Sequence, residues 1–297
     1  MKENIHELRI VITPFCNYRC FFCHGEGLTR EYTPLLLSSE DYQFVAKCCK
    51  QLWGWDTVTI TGGEPLISPL YRETCELIAK LGVKITTVTN GSLISSPKKI
   101  LKDNAQVNFS LHSLNPETYH KIAGTSYPLS QVLDTIISTR AQLPNLEIHL
   151  NITVIRGWND TPEEMLDIIR FANRVEAKVK FVDLVSENDN LVVPVEDIQC
   201  TLEGLGYRVV DENTWQIFME NRFNQVIVTR CGFGKRYLSK EKRSLFLNPD
   251  GIISSETGED ISVSLLQEIH NRDVEGLAQK VEWYFPPAKR ILPTEQA

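Results

Sequence analysis

Six short apolar segments alternate with helical patterns along the first 185 residues, and no other feature of the sequence constrains the fold as strongly. The segments predict strands at residues 8–13, 57–60, 83–89, 107–111, 146–155 and 179–185. Between them, apolar residues recur at helical spacing, most clearly at 35–53, 71–81, 129–141 and 161–176. Strands that alternate with helices form a parallel sheet with the helices packed outside it. We therefore predict an α/β fold.

Polar or glycine-rich motifs follow the predicted strands. Three cysteines come directly after the first strand, and a Gly-Gly-Glu-Pro segment at 62–65 follows the second. Asn90 and Ser110 lie at the ends of the third and fourth strands, and Asn151 lies within the fifth. Because the carboxyl ends of parallel strands share one edge of the sheet, functional residues collect there. The pattern predicts a single site at that edge.

The chain contains 8 cysteines, of which Cys16, Cys20 and Cys23 form a C-x3-C-x2-C pattern. Three thiolates this close can converge on one metal centre and leave one coordination position open. The spacing alone also allows a zinc site that His24 or a remote residue completes, or no site at all. Aromatic neighbours such as Phe22 favour a cluster that is shielded from water, which a bare zinc site does not need.

Composition excludes several classes of protein. The formal net charge of −7 argues against a general nucleic-acid binder, which is usually basic. The first residues lack the apolar core of a secretory leader, and no apolar run approaches the roughly 18 residues of a membrane helix. We therefore expect a cytoplasmic protein with no nucleic-acid or membrane partner. In that compartment clustered thiols bind metal rather than form disulfides.

The cysteine pattern and the Thr-Gly-Gly-Glu-Pro segment together resemble the signature of the radical S-adenosylmethionine (SAM) enzymes. The resemblance implies a partial (β/α)6 barrel, a [4Fe–4S] cluster on the three cysteines and SAM at its free iron. In that family the reduced cluster cleaves SAM to methionine and a 5′-deoxyadenosyl radical, which abstracts hydrogen from substrate. It also implies an electron donor such as flavodoxin or ferredoxin. The residues that the resemblance assigns to SAM are Phe22 beside the adenine, Gly62, Gly63, Glu64 and Pro65 at the methionine end, and Asn90, Ser110 and Asn151 at the ribose or methionine part.

Longer segments narrow the resemblance to the GTP 3′,8-cyclases of molybdopterin synthesis. They are CNYRCFFCHGEG, TGGEPLISPLY, SLHSLNPETYHKIAG and NITVIRGWND. Phe15 and Ser68 stand where that family has arginines, which removes bidentate donors for a triphosphate, and the chain ends in Glu-Gln-Ala instead of Gly-Gly. Cys231 matches one cysteine of the family's second cluster, but Ser254 and Ser255 stand where the last is expected. These departures imply a single cluster and a changed, small polar substrate of the nucleoside, nucleotide or sugar class in a biosynthetic pathway.

The last third of the chain differs from the rest. We predict a core barrel at 1–192 and a small α+β extension at 193–297 that covers the barrel mouth. Within the extension, 206–230 predicts an antiparallel meander and 260–284 a helical region. A basic segment at 222–243 is either a solvated face or a site for an anionic substrate.

Four side chains are candidates for proton or hydrogen donation, namely His24, Glu26, His112 and Cys231. The sequence does not determine which reaction follows hydrogen abstraction, and rearrangement, dehydrogenation, decarboxylation, epimerisation and cyclisation are all compatible with it. Two alternatives stay open: a peptide-modifying radical SAM enzyme, and a non-catalytic zinc or iron–sulfur binding protein. A fourth ligand that closes the cysteine site would favour the second alternative.

Overall fold

The computed structural model describes residues 7–23, 34–186, 188–231, 244–255, 262–284 and 290. All six predicted strands are present and lie side by side in chain order, each parallel to the next. They are β1 (Glu7–Val11), β2 (Thr57–Thr61), β3 (Lys84–Thr89), β4 (Gln106–Ser110), β5 (Glu147–Val154) and β6 (Lys178–Asp183). The predicted α/β class and its parallel sheet are confirmed.

The connections between these strands are helical. They are α1 (Ser39–Trp53), α2 (Tyr71–Ala79), α3 (Pro97–Ile100), α4 (Pro116–Ala123), α5 (Leu129–Gln142) and α6 (Pro162–Arg174). Ser38 and Ser39 are the possible N-caps in the sequence, and the structure confirms Ser38, which forms a capping box with Asp41, so the first helix begins at residue 39. The Ser38 hydroxyl accepts from the Asp41 N–H at 3.2 Å, and the Asp41 carboxylate accepts from the Ser38 N–H at 2.8 Å. In the sequence, Gly82 is the expected C-cap of the helix at 71–81. This prediction is wrong, since α2 ends at Ala79 with Lys80 as its cap, and Gly82 (φ +66°) lies in the turn beyond.

Strands from the last third of the chain extend the sheet at both edges. On one side, β9 (Gln225–Thr229) pairs parallel with β6, and β8 (Gln216–Glu220) and β7 (Arg208–Glu212) follow antiparallel, which confirms the predicted meander. On the other side, β10 (Ser244–Leu247) pairs parallel with β1, followed by β11 (Ile252–Ser255) and β12 (Val263–Ser264). The whole sheet has twelve strands in the order β12-β11-β10-β1-β2-β3-β4-β5-β6-β9-β8-β7.

Three further helices complete the described chain. They are α7 (Val195–Gly204), α8 (Leu266–Asn271) and α9 (Val274–Tyr284). The helical region predicted at 260–284 therefore also contains the short strand β12. The boundary at residue 192 and the covering of the barrel mouth stay predictions. Among the described helices, none combines the length and the apolar composition that a membrane span needs.

The side chains of β5 show why the space inside the sheet is polar. Ile148, Leu150 and Ile152 are buried in one apolar cluster with residues of α5 and α6 on the helix side. The alternate residues Asn151 and Thr153 point the other way, as the strand period of two requires, and line a cavity. Residues of all six parallel strands line a second cavity that adjoins the first. The sheet therefore curves around a polar interior.

Candidate active site

The three cysteines of the loop after β1 line one cavity of about 240 Å³. Cys16 and Cys20 are half-buried and Cys23 is exposed. The loop is fastened to the end of α4, since the N–H of Arg19 donates to the Ala123 carbonyl at 3.1 Å. A guanidinium nitrogen of Arg19 also donates to the Cys16 carbonyl at 2.8 Å. The backbone is thus held in a conformation that turns all three thiols toward one space.

Burial sets the protonation of these thiols. It raises the pKa of Cys16 and raises that of Cys20 to about 12. Both thiols would therefore stay protonated at neutral pH, and a bound cation is what makes such a group a thiolate. No set of three His, Cys, Asp or Glu side chains in the described ranges lies close enough to hold a single metal ion. His24, the possible fourth ligand of a zinc site, lies outside the described residues.

The glycines at 62 and 63 allow the loop after β2 to touch the cysteine loop. A Cβ atom on Gly62, which has φ +148°, would lie 2.4 Å from the Thr13 carbonyl oxygen, and one on Gly63 would lie 2.2 Å from that of Phe15. In the absence of Cβ atoms, the N–H groups of Gly63 and Glu64 donate to these same carbonyls at 2.8 Å. Sequence reasoning expected the glycines to admit a ligand. The contact that requires them is the one between the two loops.

Glu64 joins the loop after β2 to the end of β3. Its carboxylate accepts from the Thr89 hydroxyl at 2.7 Å, the Asn90 N–H at 2.8 Å and the Leu66 N–H at 3.2 Å. The residue is 1% exposed and lines the cavity. Burial raises its pKa to about 7 against the three hydrogen bonds, which favour the carboxylate. A cationic group in the cavity would favour the ionised form further.

The other predicted SAM contacts have different surroundings. Asn90 donates to the Asn17 side chain at 2.9 Å and accepts from the Ser92 hydroxyl at 2.6 Å, so its amide already joins two loops. The Oδ1 atom of Asn151 is buried without a partner among the described residues and belongs to the cavity wall. Of the eight predicted SAM residues, seven line the cavity, namely Phe22, Gly62, Gly63, Glu64, Asn90, Ser110 and Asn151. Pro65 is buried but does not line the cavity, and it begins a turn of 3₁₀ helix at Pro65–Ile67.

An aromatic corner closes one side of the cavity. The ring of Phe22 meets that of His112 edge to face, with centroids 4.9 Å apart and planes at 81°. Phe21 turns outward and packs against Trp158 at 4.7 Å. Phe22 packs on a small apolar cluster that includes Leu184. The corner therefore combines a flat apolar surface with one imidazole.

The remaining sequence candidates are divided between the cavity and the surface. Cys231 lines the cavity, and its N–H donates to the Asp183 carboxylate at 2.6 Å. Arg222 and Arg230 of the basic segment lie against Phe223 and Glu212. His24, Glu26 and the rest of the basic segment, 232–243, lie outside the described residues. Sequence reasoning missed the contribution of the end of β6, where Val182 and Asp183, together with Leu184 just after the strand, line the cavity without any recognisable motif.

Asn159 joins the carboxyl ends of β4 and β5. Its amide nitrogen donates to the carbonyls of His112 and Thr153 at 2.7 and 2.9 Å, and its oxygen accepts from the Ile155 N–H at 2.7 Å. Asn159 is 1% exposed, and its hydrogen bonds with the His112 carbonyl and the Ile155 N–H are buried. A single side chain thus fixes the position of His112 and Thr153 in the cavity wall.

We expect Asn159→Ala to lower the free energy of unfolding by about 2–4 kcal/mol, because three backbone groups lose this partner and two of the lost hydrogen bonds are buried. Urea denaturation followed by circular dichroism measures the change. Asn190→Ala, at an exposed position, is the control and should behave as the wild type. An unchanged denaturation midpoint for Asn159→Ala would show that the hydrogen bonds of this side chain do not contribute to stability.

The donor set of the cavity fits a cluster with an open iron and a small zwitterionic ligand. Three thiols lie on one side, and the buried carboxylate of Glu64 and the unpartnered amide oxygen of Asn151 lie on others. Thiolates are the ligands of iron–sulfur clusters, while a carboxylate and an amide oxygen suit an ammonium group. All of these groups stand at or near the carboxyl ends of parallel strands.

Similar proteins place this geometry in a family. The model of the radical SAM superfamily matches residues 10–172. A probable GTP 3′,8-cyclase of Pyrobaculum aerophilum is 30% identical over 290 residues, which covers 94% of this chain and 92% of that protein. A GTP 3′,8-cyclase of Aquifex aeolicus is 35% identical over 189 residues, which covers 62% of this chain and 58% of the relative.

Solved structures agree on the fold. The structure of SuiB from Streptococcus suis bound to S-adenosylmethionine matches with a TM-score of 0.67 at 15% identity, over 95% of this chain and 66% of that one. Native anSMEcpe with bound AdoMet matches with a TM-score of 0.62 at 14% identity, over 91% of this chain and 80% of that one. Because the family model covers more than half of the chain, and because the fold and the cysteine loop agree with it, this protein belongs to the radical SAM superfamily.

Proposed function

We propose that this radical SAM enzyme holds a single [4Fe–4S] cluster on Cys16, Cys20 and Cys23 and acts on a small polar substrate of the nucleoside, nucleotide or sugar class. The observation that carries the proposal is that these cysteines line the same cavity as Glu64 and Asn151. The electron donor, such as flavodoxin or ferredoxin, is part of the proposal.

As a member of its superfamily the enzyme uses SAM and a [4Fe–4S] cluster, which together supply a 5′-deoxyadenosyl radical that abstracts hydrogen from the substrate. The protein's own residues bind and orient. The three thiolates each bind an iron, and the Glu64 carboxylate accepts hydrogen bonds from an ammonium group. Asn151 offers its free amide oxygen to a hydroxyl or amino donor. Phe22 and Leu184 exclude water from that side of the cavity.

The substrate class rests on the relatives and on the cavity wall. The relatives that cover most or much of the chain are GTP 3′,8-cyclases, which supports a nucleotide or a related compound. Among the described residues that line the cavity, however, none is arginine or lysine. A triphosphate is usually bound by such residues, so this wall suits a substrate with fewer negative charges. GTP is therefore included in the test as one compound among several.

Anaerobic reconstitution with iron and sulfide tests the proposal. We expect about four irons per chain, an EPR signal of the reduced protein that changes when SAM is added, and formation of 5′-deoxyadenosine. Nucleosides, nucleotides, sugars and short peptides are then screened for substrate-dependent turnover. Stoichiometric zinc, or a cluster that does not respond to SAM, would contradict the proposed site. Turnover of a peptide alone would favour the peptide-modifying alternative.

We expect Glu64→Gln to weaken SAM binding by about 10- to 100-fold, since it removes a charge-assisted hydrogen bond to the ammonium group. The amide N–H of the new glutamine would also face the Thr89 hydroxyl or the Asn90 N–H, which donate to the carboxylate in the wild type. Equilibrium dialysis of SAM against the reconstituted protein measures the change, with iron content determined in parallel. Glu163→Gln, at an exposed position of α6, is the control. Unchanged affinity would remove Glu64 from the SAM site.

A further inference from the structure

The imidazole of His112 lines the cavity with one of its two nitrogens already occupied. Nδ1 accepts a hydrogen bond from the backbone N–H of Thr153 at 3.1 Å. A nitrogen that accepts from an N–H carries no proton, so the ring proton of the neutral imidazole is on Nε2. The structure therefore determines the tautomer of His112.

The charge of His112 follows from its burial. The residue is 6% exposed, and burial lowers its pKa to about 4, with no charged group contributing to the shift. The ring is neutral at neutral pH. His112 is one of the four side chains that the sequence suggests as proton or hydrogen donors. A neutral ring in this tautomer, however, donates a hydrogen bond more readily than it gives up a proton.

The position of this donor is rigid. The Asn159 amide donates a hydrogen bond to the His112 carbonyl at 2.7 Å, and the Thr153 N–H donates to the ring at Nδ1. The Phe22 ring packs against the imidazole at 4.9 Å. Among the described residues, the hydrogen bond at Nδ1 is the only one that the His112 ring makes, and the residue lines the cavity. A fixed N–H beside a flat aromatic surface is what recognises an acceptor on a planar heterocycle.

We propose that His112 is a specificity-determining residue whose Nε2–H donates to an acceptor atom of a nucleobase held against Phe22. The inference rests on the proposed function, because both SAM and a nucleotide substrate carry such a base. The adenine of SAM and the base of the substrate share this chemistry, and the experiment distinguishes them.

Two substitutions separate the two nitrogens of the ring. In His112→Asn the amide oxygen takes the place of Nδ1 and keeps the acceptor for Thr153, but the donor to the cavity is lost. In His112→Gln the amide reaches the position of Nε2 and keeps that donor. The reconstituted holoprotein of each variant is tested for binding of SAM and of GTP by anaerobic equilibrium dialysis, with iron content and thermal unfolding measured on the same samples.

We expect His112→Asn to lower the affinity for SAM or for GTP by about three- to tenfold, which corresponds to the loss of one neutral hydrogen bond. His112→Gln should retain most of that affinity. Weaker SAM binding identifies the adenine as the partner. Weaker GTP binding with unchanged SAM binding identifies the base of the substrate. Equal losses in both variants, or no loss in His112→Asn, would overturn the inference.

A second measurement gives its first result with the wild-type protein alone. Deaza analogues of S-adenosylhomocysteine and of GTP, each lacking one ring nitrogen, are bound to the wild-type holoprotein. One analogue should bind about three- to tenfold more weakly than its parent, and the difference should disappear in His112→Asn. If every analogue binds as its parent does, the inference fails even though the enzyme still forms 5′-deoxyadenosine. A wild-type protein without a SAM-responsive cluster would instead refute the proposed function.

Discussion

Gly63→Ala is expected to abolish cluster assembly although it changes none of the three cysteines proposed to bind iron. The added Cβ would lie 2.2 Å from the Phe15 carbonyl oxygen and 2.9 Å from the Cys16 nitrogen. Both neighbours are backbone atoms, so no side-chain rotation relieves the overlap and the two loops must separate. That movement breaks the hydrogen bonds that the N–H groups of Gly63 and Glu64 make to the cysteine loop. The thiols then lose the arrangement that a cluster requires.

Iron and sulfide analysis after anaerobic reconstitution measures this effect, and we expect less than about a tenth of the wild-type iron. Gly204→Ala is the matched control, since a Cβ at the end of α7 meets no atom within 4 Å. It should bind as much iron as the wild type. A Gly63→Ala protein with a full cluster would mean that the two loops do not need their close contact.

Replacing any one of Cys16, Cys20 and Cys23 by alanine should eliminate both the SAM-dependent EPR signal and the formation of 5′-deoxyadenosine. A cube held by two thiolates is poorly anchored, and a lost ligand at such a site commonly removes the metal altogether. Two other cysteines serve as controls. Cys200 is exposed on α7, and Cys231 lies on the same cavity as the cluster ligands.

Cys200→Ala should retain about four irons per chain, and Cys231→Ala should do the same if there is one cluster. A wild-type protein with about eight irons, from which Cys231→Ala removes half, would contradict the single-cluster proposal. Retention of the cluster in Cys20→Ala would contradict the assignment of the ligands themselves.

Local signals predicted the strands and helix starts of the first 185 residues well. Asn115 and Thr161 cap α4 and α6 with their side chains, and both are followed by proline at the first helical position. Within the apolar pattern at 35–53, the serines at 38 and 39 predict where α1 begins, and the reciprocal hydrogen bonds between Ser38 and Asp41 confirm Ser38 as the cap. Such caps depend on residues near in sequence, which is why they can be recognised.

What depends on distant residues could not be predicted. Gly62 and Gly63 look like a ligand cradle in sequence, yet the atoms that require them belong to residues 13–15, almost fifty positions earlier. Pro65 stands in the same motif but turns away from the cavity. The N–H donor that sets the tautomer of His112 comes from Thr153, on β5. None of these contacts leaves a pattern in the residues around it.

The placement of β10 beside β1 has a consequence for how the chain is made. Glu7 and Ser244 are paired across 237 positions, and a hydrogen bond between their side chains reinforces the pair. During translation the outer edge of β1 cannot pair with β10 until residues 244–247 have been synthesised. Contacts this distant raise the contact order and slow folding, and an unpaired strand edge invites association with other nascent chains. We therefore expect the yield of this protein in cells to depend on chaperones and on expression temperature more than that of a helical protein of equal length.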